Sequence, residues 1–154
     1  MRNDVELILE ELTNLYQDKS LLFRQIFNLY LLQSESLKAQ DIENLNYRSR
    51  EIDSLTENVN ALDFDIQERF DALSKITGAN YQNLLKVAAL DKEPALQRLQ
   101  AAQKETFAAI EATAEKCNEF TDNLKTLSAE ILEEADELAR TSYLQAYLDS
   151  INQK

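Results

Sequence analysis

The chain contains no histidine, and its 154 residues include a single glycine, a single proline and a single cysteine. Without histidine the Ser-His-Asp and Cys-His nucleophilic arrangements are excluded, as is the Glu-x-x-His motif of di-iron helical bundles. The one cysteine, Cys117, closes no internal disulfide and supplies no thiolate zinc site within a single chain, which fits a reducing cytoplasm. A lone Gly78 leaves no phosphate-cradling glycine loop. Average proteins use roughly 7% glycine and 5% proline, so tight turns and β-bulges have almost nowhere to form here. This is the composition of long helices.

Positive charge is scarce too. With 28 acidic residues against 16 basic ones the net charge is −12, so nucleic acid and anionic lipid would be repelled, and a basic or amphipathic partner is the natural alternative. No apolar run approaches the ~20 residues of a membrane span, and stable membrane insertion is not expected. The opening MRNDVELILEEL carries acidic residues where a secretory signal needs a basic start, so secretion by that route is not expected either. The length suits one helical domain covering residues 1–154.

What is present is heptad spacing. Val5, Ile8, Leu12, Leu15, Leu22, Ile26 and Leu29 alternate steps of three and four, with Lys19 in the one polar slot. Leu9, Tyr16, Phe23 and Tyr30 widen that seam on one flank, and Asn3 or Asp4 is suited to cap it. The first helix is expected over about 4–35. A second seam, Leu45, Ile52, Leu55, Val59, Leu62, Ile66, Leu73 and Ile76, has Arg48 and Arg69 in its remaining slots and stops at Gly78, a residue suited to the left-handed conformation that ends helices. The two seams are two residues out of phase, which turns the apolar stripe by roughly 200°. A break at 35–40, with Asp41 capping a second helix over 41–77, resolves the conflict; one continuous rod from 4 to 77 is the rival.

After Gly78 the spacing predicts a short helix over 80–90, capped by Asn80, with Tyr81, Leu84, Leu85 and Ala88 on one side. Asp91 or Glu93 then caps a last long helix in which Pro94 sits in the first turn. Its seam runs Leu96, Leu99, Ile110, Cys117, Phe120, Leu124, Leu127, Ile131 and Leu138, flanked by small residues from Ala102 to Ala135. This helix is expected over 94–140, with either an overhang or a break at Thr141-Ser142 opening a terminal segment over 141–154. The fold class that follows is all-α: an antiparallel bundle of three to four long helices with coiled-coil-like heptad packing.

Catalysis finds no footing in such a chain, and neither an enzyme nor a cofactor is expected. Cys117 reads as a core residue on the seam, Glu130 to Glu137 as a solvated acidic face, and Arg48 and Arg69 as either a polar layer or snorkelling side chains. Two apolar surfaces exceed what one core needs. In LLFRQIFNLYLL, residues 21–32, Leu21, Phe27, Leu31 and Leu32 lie off the seam. In the terminal segment, Leu144, Leu148 and Ile151 make a stripe beside Tyr143 and Tyr147. These nine residues are the candidate partner-binding positions; burial within the bundle is the competing reading for the first group, and a docked last turn for the second.

The stretch SESLKAQDIENLNYRSREIDSL, through Leu37, Asp41, Glu43, Leu45, Arg50 and Glu51, resembles the hallmark of the FlgN-type flagellar export chaperones. The layout is similar as well: an acidic all-helical chain of this length ending in a terminal segment. The resemblance implies a cytoplasmic, non-enzymatic chaperone of flagellar type III export. Such a chaperone binds the amphipathic C-terminal segments of hook-filament junction (hook-associated) proteins and keeps them soluble. A self-associating coiled-coil scaffold, for instance a homodimer, is the alternative that the seams alone leave open.

Overall fold

The computed structural model describes residues 2–85 and 93–152. Among those residues the regular structure is helix alone: α1 (Arg2–Lys38), α2 (Ile42–Thr77), α3 (Tyr81–Leu85) and α4 (Pro94–Asn152). The chain divides into two units, Met1–Cys117 and Asn118–Lys154. The first is an all-α bundle.

Side-chain pairings fix the order of its helices. Gln33 donates to the Ser49 hydroxyl at 3.0 Å, Lys19 meets Asp63 at 2.6 Å, and Arg69 Nε lies 2.6 Å from Glu11. Positions fall along α1 as they rise along α2, so the two helices are antiparallel and the single-rod alternative is excluded. The Thr106 hydroxyl lies 2.9 Å from the Tyr16 carbonyl, and the Thr113 hydroxyl 3.0 Å from the Phe23 carbonyl. Both partners advance by seven residues in the same sense, so this part of α4 runs parallel to α1. Each hydroxyl is also 2.7 Å from the carbonyl one turn back in α4, Ala102 or Ala109, and so its proton lies between two acceptors. Reaching a neighbouring backbone with so short a side chain requires close helix packing, which the small residues flanking the seam allow.

Two apolar clusters fill the unit. In one, Ile8, Leu9 and Leu12 of α1 meet Ile66 and Leu73 of α2 and Ala95, Leu96 and Leu99 of α4. In the other, Ile26, Ile52 and Val59 are buried among Leu22, Phe23, Leu29, Tyr30 and Leu55. Apart from the flank residues Leu9, Phe23 and Tyr30, the α1 and α2 members of both clusters are seam residues. Fully burying each such side chain stabilises the fold by about 1.5–3 kcal/mol relative to leaving it exposed.

The corner between α1 and α2 lies over Ala39 to Asp41, later than the expected 35–40. Asp41 N–H donates to the Ser36 carbonyl at 2.9 Å and Gln40 N–H to the Leu37 carbonyl at 3.1 Å, the paired bonds of a Schellman motif. Its left-handed position is filled by Gln40, φ 54°, where glycine is the usual occupant. Asp41 caps α2 as the sequence predicts, accepting from Asn44 N–H at 3.2 Å. The Asn44 side chain donates back to the Asp41 carboxylate at 2.6 Å instead of reaching the cap's own N–H, so the capping box is incomplete. At the far end Gly78 adopts φ 71° and donates to the Ser74 carbonyl. No atom lies within 4 Å of where a Cβ would stand, so glycine is needed there for conformation and not for space.

Other boundaries shift as well. Because α1 begins at Arg2, Asn3 and Asp4 fall in its first turn, where Asp4 complements the helix dipole instead of capping. Asn80 caps α3 by accepting from Asn83 N–H at 2.8 Å. Tyr81 then lies tilted against Phe70, ring centroids 4.9 Å apart, Phe70 meets Tyr16 edge-on at 6.5 Å, and the Tyr81 hydroxyl lies 3.0 Å from Gln103 Oε1. Burial pushes the Tyr81 phenol above its ordinary pKa. The expected continuation of α3 to residue 90, including Ala88, and the Asp91 cap lie outside the described residues. Pro94 opens α4, with the Glu93 carbonyl accepting from Gln97 N–H at 3.1 Å. No break occurs at Thr141-Ser142: Thr141 donates to the Glu137 carbonyl within the helix at 2.9 Å, and α4 continues to Asn152.

Candidate interaction surface

The first surplus surface is divided by the fold. Around 21–32 the side chains of Leu22, Phe23, Leu29 and Tyr30 pack on the second core cluster and Ile26 is buried in it. Phe27 is half-buried, while Leu31 and Leu32 are exposed and Leu21 is 54% exposed. An open groove of about 470 Å³ lined by Gln25, Asn28, Leu29, Glu51, Ser54 and Leu55 lies between α1 and α2. Leu29 and Leu55 and the apolar parts of its four polar residues make most of its surface, and Leu21, Leu31 and Leu32 stand outside it. Single exposed apolar side chains of this kind are normal on a protein surface.

The seam slots held by polar residues have separate roles. Arg48 donates to the Leu32 carbonyl at 2.8 Å and to the Ser36 hydroxyl, and the fully buried Gln33 donates to the Leu45 carbonyl and the Ser49 hydroxyl at 3.0 Å. Together they form a polar layer below the corner. This corrects the snorkelling reading for Arg48: its charge is turned inward onto backbone and hydroxyl acceptors. Gln33 Oε1 finds no partner in this layer, so the layer orders the corner at some cost in desolvation. Arg69 instead meets Glu11, both side chains partly exposed, in an ion contact without hydrogen-bond alignment, although Arg69 Nε itself is buried. Ion pairs that remain open to solvent contribute at most about 1 kcal/mol.

Cys117 is half-buried, not enclosed in the core, and hydrogen-bonds the Tyr30 phenol. Burial, then that bond, then the charges of Cys117 and Asp53 push Tyr30 up to about 12.

Unit 2 is different in kind. In unit 1 the α4 seam is buried at Leu96 and Leu99, Thr106 and Thr113 are buried in line with them, and Ile110 and Cys117 are half-buried, whereas in unit 2 the seam lies largely open. Leu124 is exposed, Leu127 half-buried, Ile131 51% exposed and Leu138 68% exposed. This exposure separates the seam beyond Cys117 from its start near Leu96 and Leu99. It also identifies an apolar surface that the candidate residues omitted, although the heptad spacing had marked it. The terminal candidates Tyr143, Leu144, Tyr147, Leu148 and Ile151 are all exposed as well, Tyr143 at 74%. At roughly 100° per residue, Ile131 and Tyr147 point about 160° apart, so one helix carries two opposed apolar stripes in series. A single partner helix lying straight along one face of unit 2 can cover one stripe and not the other.

Carboxylates crowd the first stripe. Residues 118–138 hold seven acidic residues against one basic, whereas 139–152 hold only Arg140 and Asp149. Among the described residues, no group of three or more acidic, cysteine or histidine side chains is placed to hold a metal ion. No described helix is long and apolar enough to cross a membrane. No family model, curated protein or solved structure matches this chain.

Proposed function

We propose that the protein is a non-enzymatic helical chaperone that holds an amphipathic helix of a client on the exposed stripe of α4, while its bundle serves as the folded platform. The observation that carries this reading is the exposure of Leu124, Ile131 and Leu138 in register on one face. A helix in a groove or against a seam is recognised through such positions, and its burial supplies the binding energy. In its fuller form, the proposed role is that of a FlgN-type chaperone of flagellar export in the cytoplasm, with clients the C-terminal segments of hook-associated proteins. That form rests on the corner sequence from Leu37 to Glu51 and on the acidic all-helical layout.

The test pairs peptide capture with light scattering on the purified chain. Binding of hook-associated C-terminal peptides to a folded monomer, lost in Ile131→Asp, supports the proposal. A stable oligomer with no peptide binding, dissociated by the same substitution, sinks it in favour of the self-associating scaffold.

A further inference from the structure

The stripe of unit 2 has unlike borders. Glu134 lies roughly 60° from Ile131 around the helix and Glu130 and Glu137 roughly 100–120° on the same side, while Ser128 and Ala135 stand roughly 40–60° on the other. All three carboxylates are exposed, and among the described residues no cation pairs with them. One edge is thus acidic and unneutralised, while the opposite edge carries no carboxylate over the same arc: it is small next to the stripe, with Leu132 and Lys125 at roughly 100–120°.

We infer that this stripe selects an amphipathic partner helix whose apolar face is bordered along one edge by lysine or arginine. The inference rests on the reading of the stripe as a client site and adds the partner's charge and orientation. A basic edge placed over Glu130, Glu134 and Glu137 gains opposite-charge contacts, and the partner's other edge closes over Ser128 and Ala135, where little side chain stands in the way. The reversed orientation sets lysine over the small border and leaves the carboxylates without counter-charge. A second copy of this chain suits the stripe poorly: packed antiparallel, acidic edge meets acidic edge, and packed parallel, the carboxylates lie over the small border without counter-charge. The terminal stripe lacks such a border and makes no such selection.

Two synthetic helical peptides with the same apolar face, one edged with lysine and one with glutamate, test this by titration against the full chain at low salt. The lysine-edged peptide should bind about tenfold more tightly, with the gap closing as salt screens it. The triple variant Glu130→Lys, Glu134→Lys, Glu137→Lys should reverse the order. The triple variant Glu57→Lys, Asp65→Lys, Glu68→Lys, with the same change in net charge on exposed positions of α2, should preserve it. Equal binding of both peptides, or equal effects of the two variants, overturns the edge selection and leaves the client site standing. Failure of both peptides to bind, with circular dichroism showing a folded chain, overturns the client site itself.

Discussion

Two halves of one helix carry the same heptad pattern and meet opposite fates. In unit 1 the α4 seam is closed at its start, with Leu99 at 0% exposure, and half-buried at Ile110 and Cys117. In unit 2 the same spacing leaves Ile131 half in solvent. Periodicity specifies that a face exists, and burial requires a second surface that periodicity does not name. An apolar face that its own unit leaves open is the ground on which the client site is proposed.

The strongest way to break this comparison is to truncate one residue from each half. Leu99→Ala should cost about 2–5 kcal/mol in urea or guanidinium unfolding, because it leaves a cavity among Ile8, Leu12, Leu73 and Leu96. Ile131→Ala should change the stability of the chain by less than about 0.5 kcal/mol, while weakening peptide binding. Comparable losses of stability would mean that the stripe is covered within the chain, and would remove the ground for a client site there.

A smaller effect sharpens the account of the closed half. Thr106→Val and Thr113→Val keep the shape and remove the hydroxyl between α1 and α4, so each should cost about 0.5–1.5 kcal/mol. If neither does, the close approach of the two helices is set by side-chain volume alone. The same replacement at Thr126, an exposed position in unit 2 whose hydroxyl reaches only its own Asp122 carbonyl, should cost markedly less.

Much of unit 1 was legible because its signals are local. The phase slip between the two seams required a corner, Asp41 and Gly78 announced a start and a stop, and the buried positions of α2, Ile52, Val59, Ile66 and Leu73, are seam residues. What sequence could not show was the neighbour of each face. Thr106 and Thr113 drew no notice in the sequence, because only the carbonyls of α1 beside them give their hydroxyls a role between helices. Leu124, Ile131 and Leu138 read as core because nothing in their spacing separates them from Leu99. The terminal group from Tyr143 to Ile151 was singled out because it departs from the seam, and departure from a pattern is easier to see than absence of a partner.

The corner offers a gain in place of a loss. Gln40 holds a left-handed backbone that costs a side-chain-bearing residue about 1–2 kcal/mol, partly offset in any glycine variant by the added freedom of the unfolded chain. Gln40→Gly should therefore stabilise the chain by about 0.5–1 kcal/mol in thermal or chemical unfolding. Loss of stability would mean that the Gln40 side chain supports the turn.

The mildest perturbation is alkaline pH, which reaches the closed half through Tyr30. Its phenol is raised from 10.0 to about 12 in the folded chain, so the fold favours the neutral form. The sign follows from that direction: the stabilisation is fully present below pH 10, and it is lost as pH rises toward 12, since the unfolded phenol releases its proton first. Tyr30→Phe keeps the ring and removes the titration, and should flatten this part of the stability profile measured by urea unfolding between pH 9 and about 12. Burial is the larger cause of the shift and the bond to Cys117 the next, so Cys117→Ala should bring the Tyr30 titration, followed by tyrosinate absorbance, only part of the way back. A complete return would assign the shift to the thiol instead, and would make the half-buried setting of Tyr30 wetter than its place in the second cluster implies.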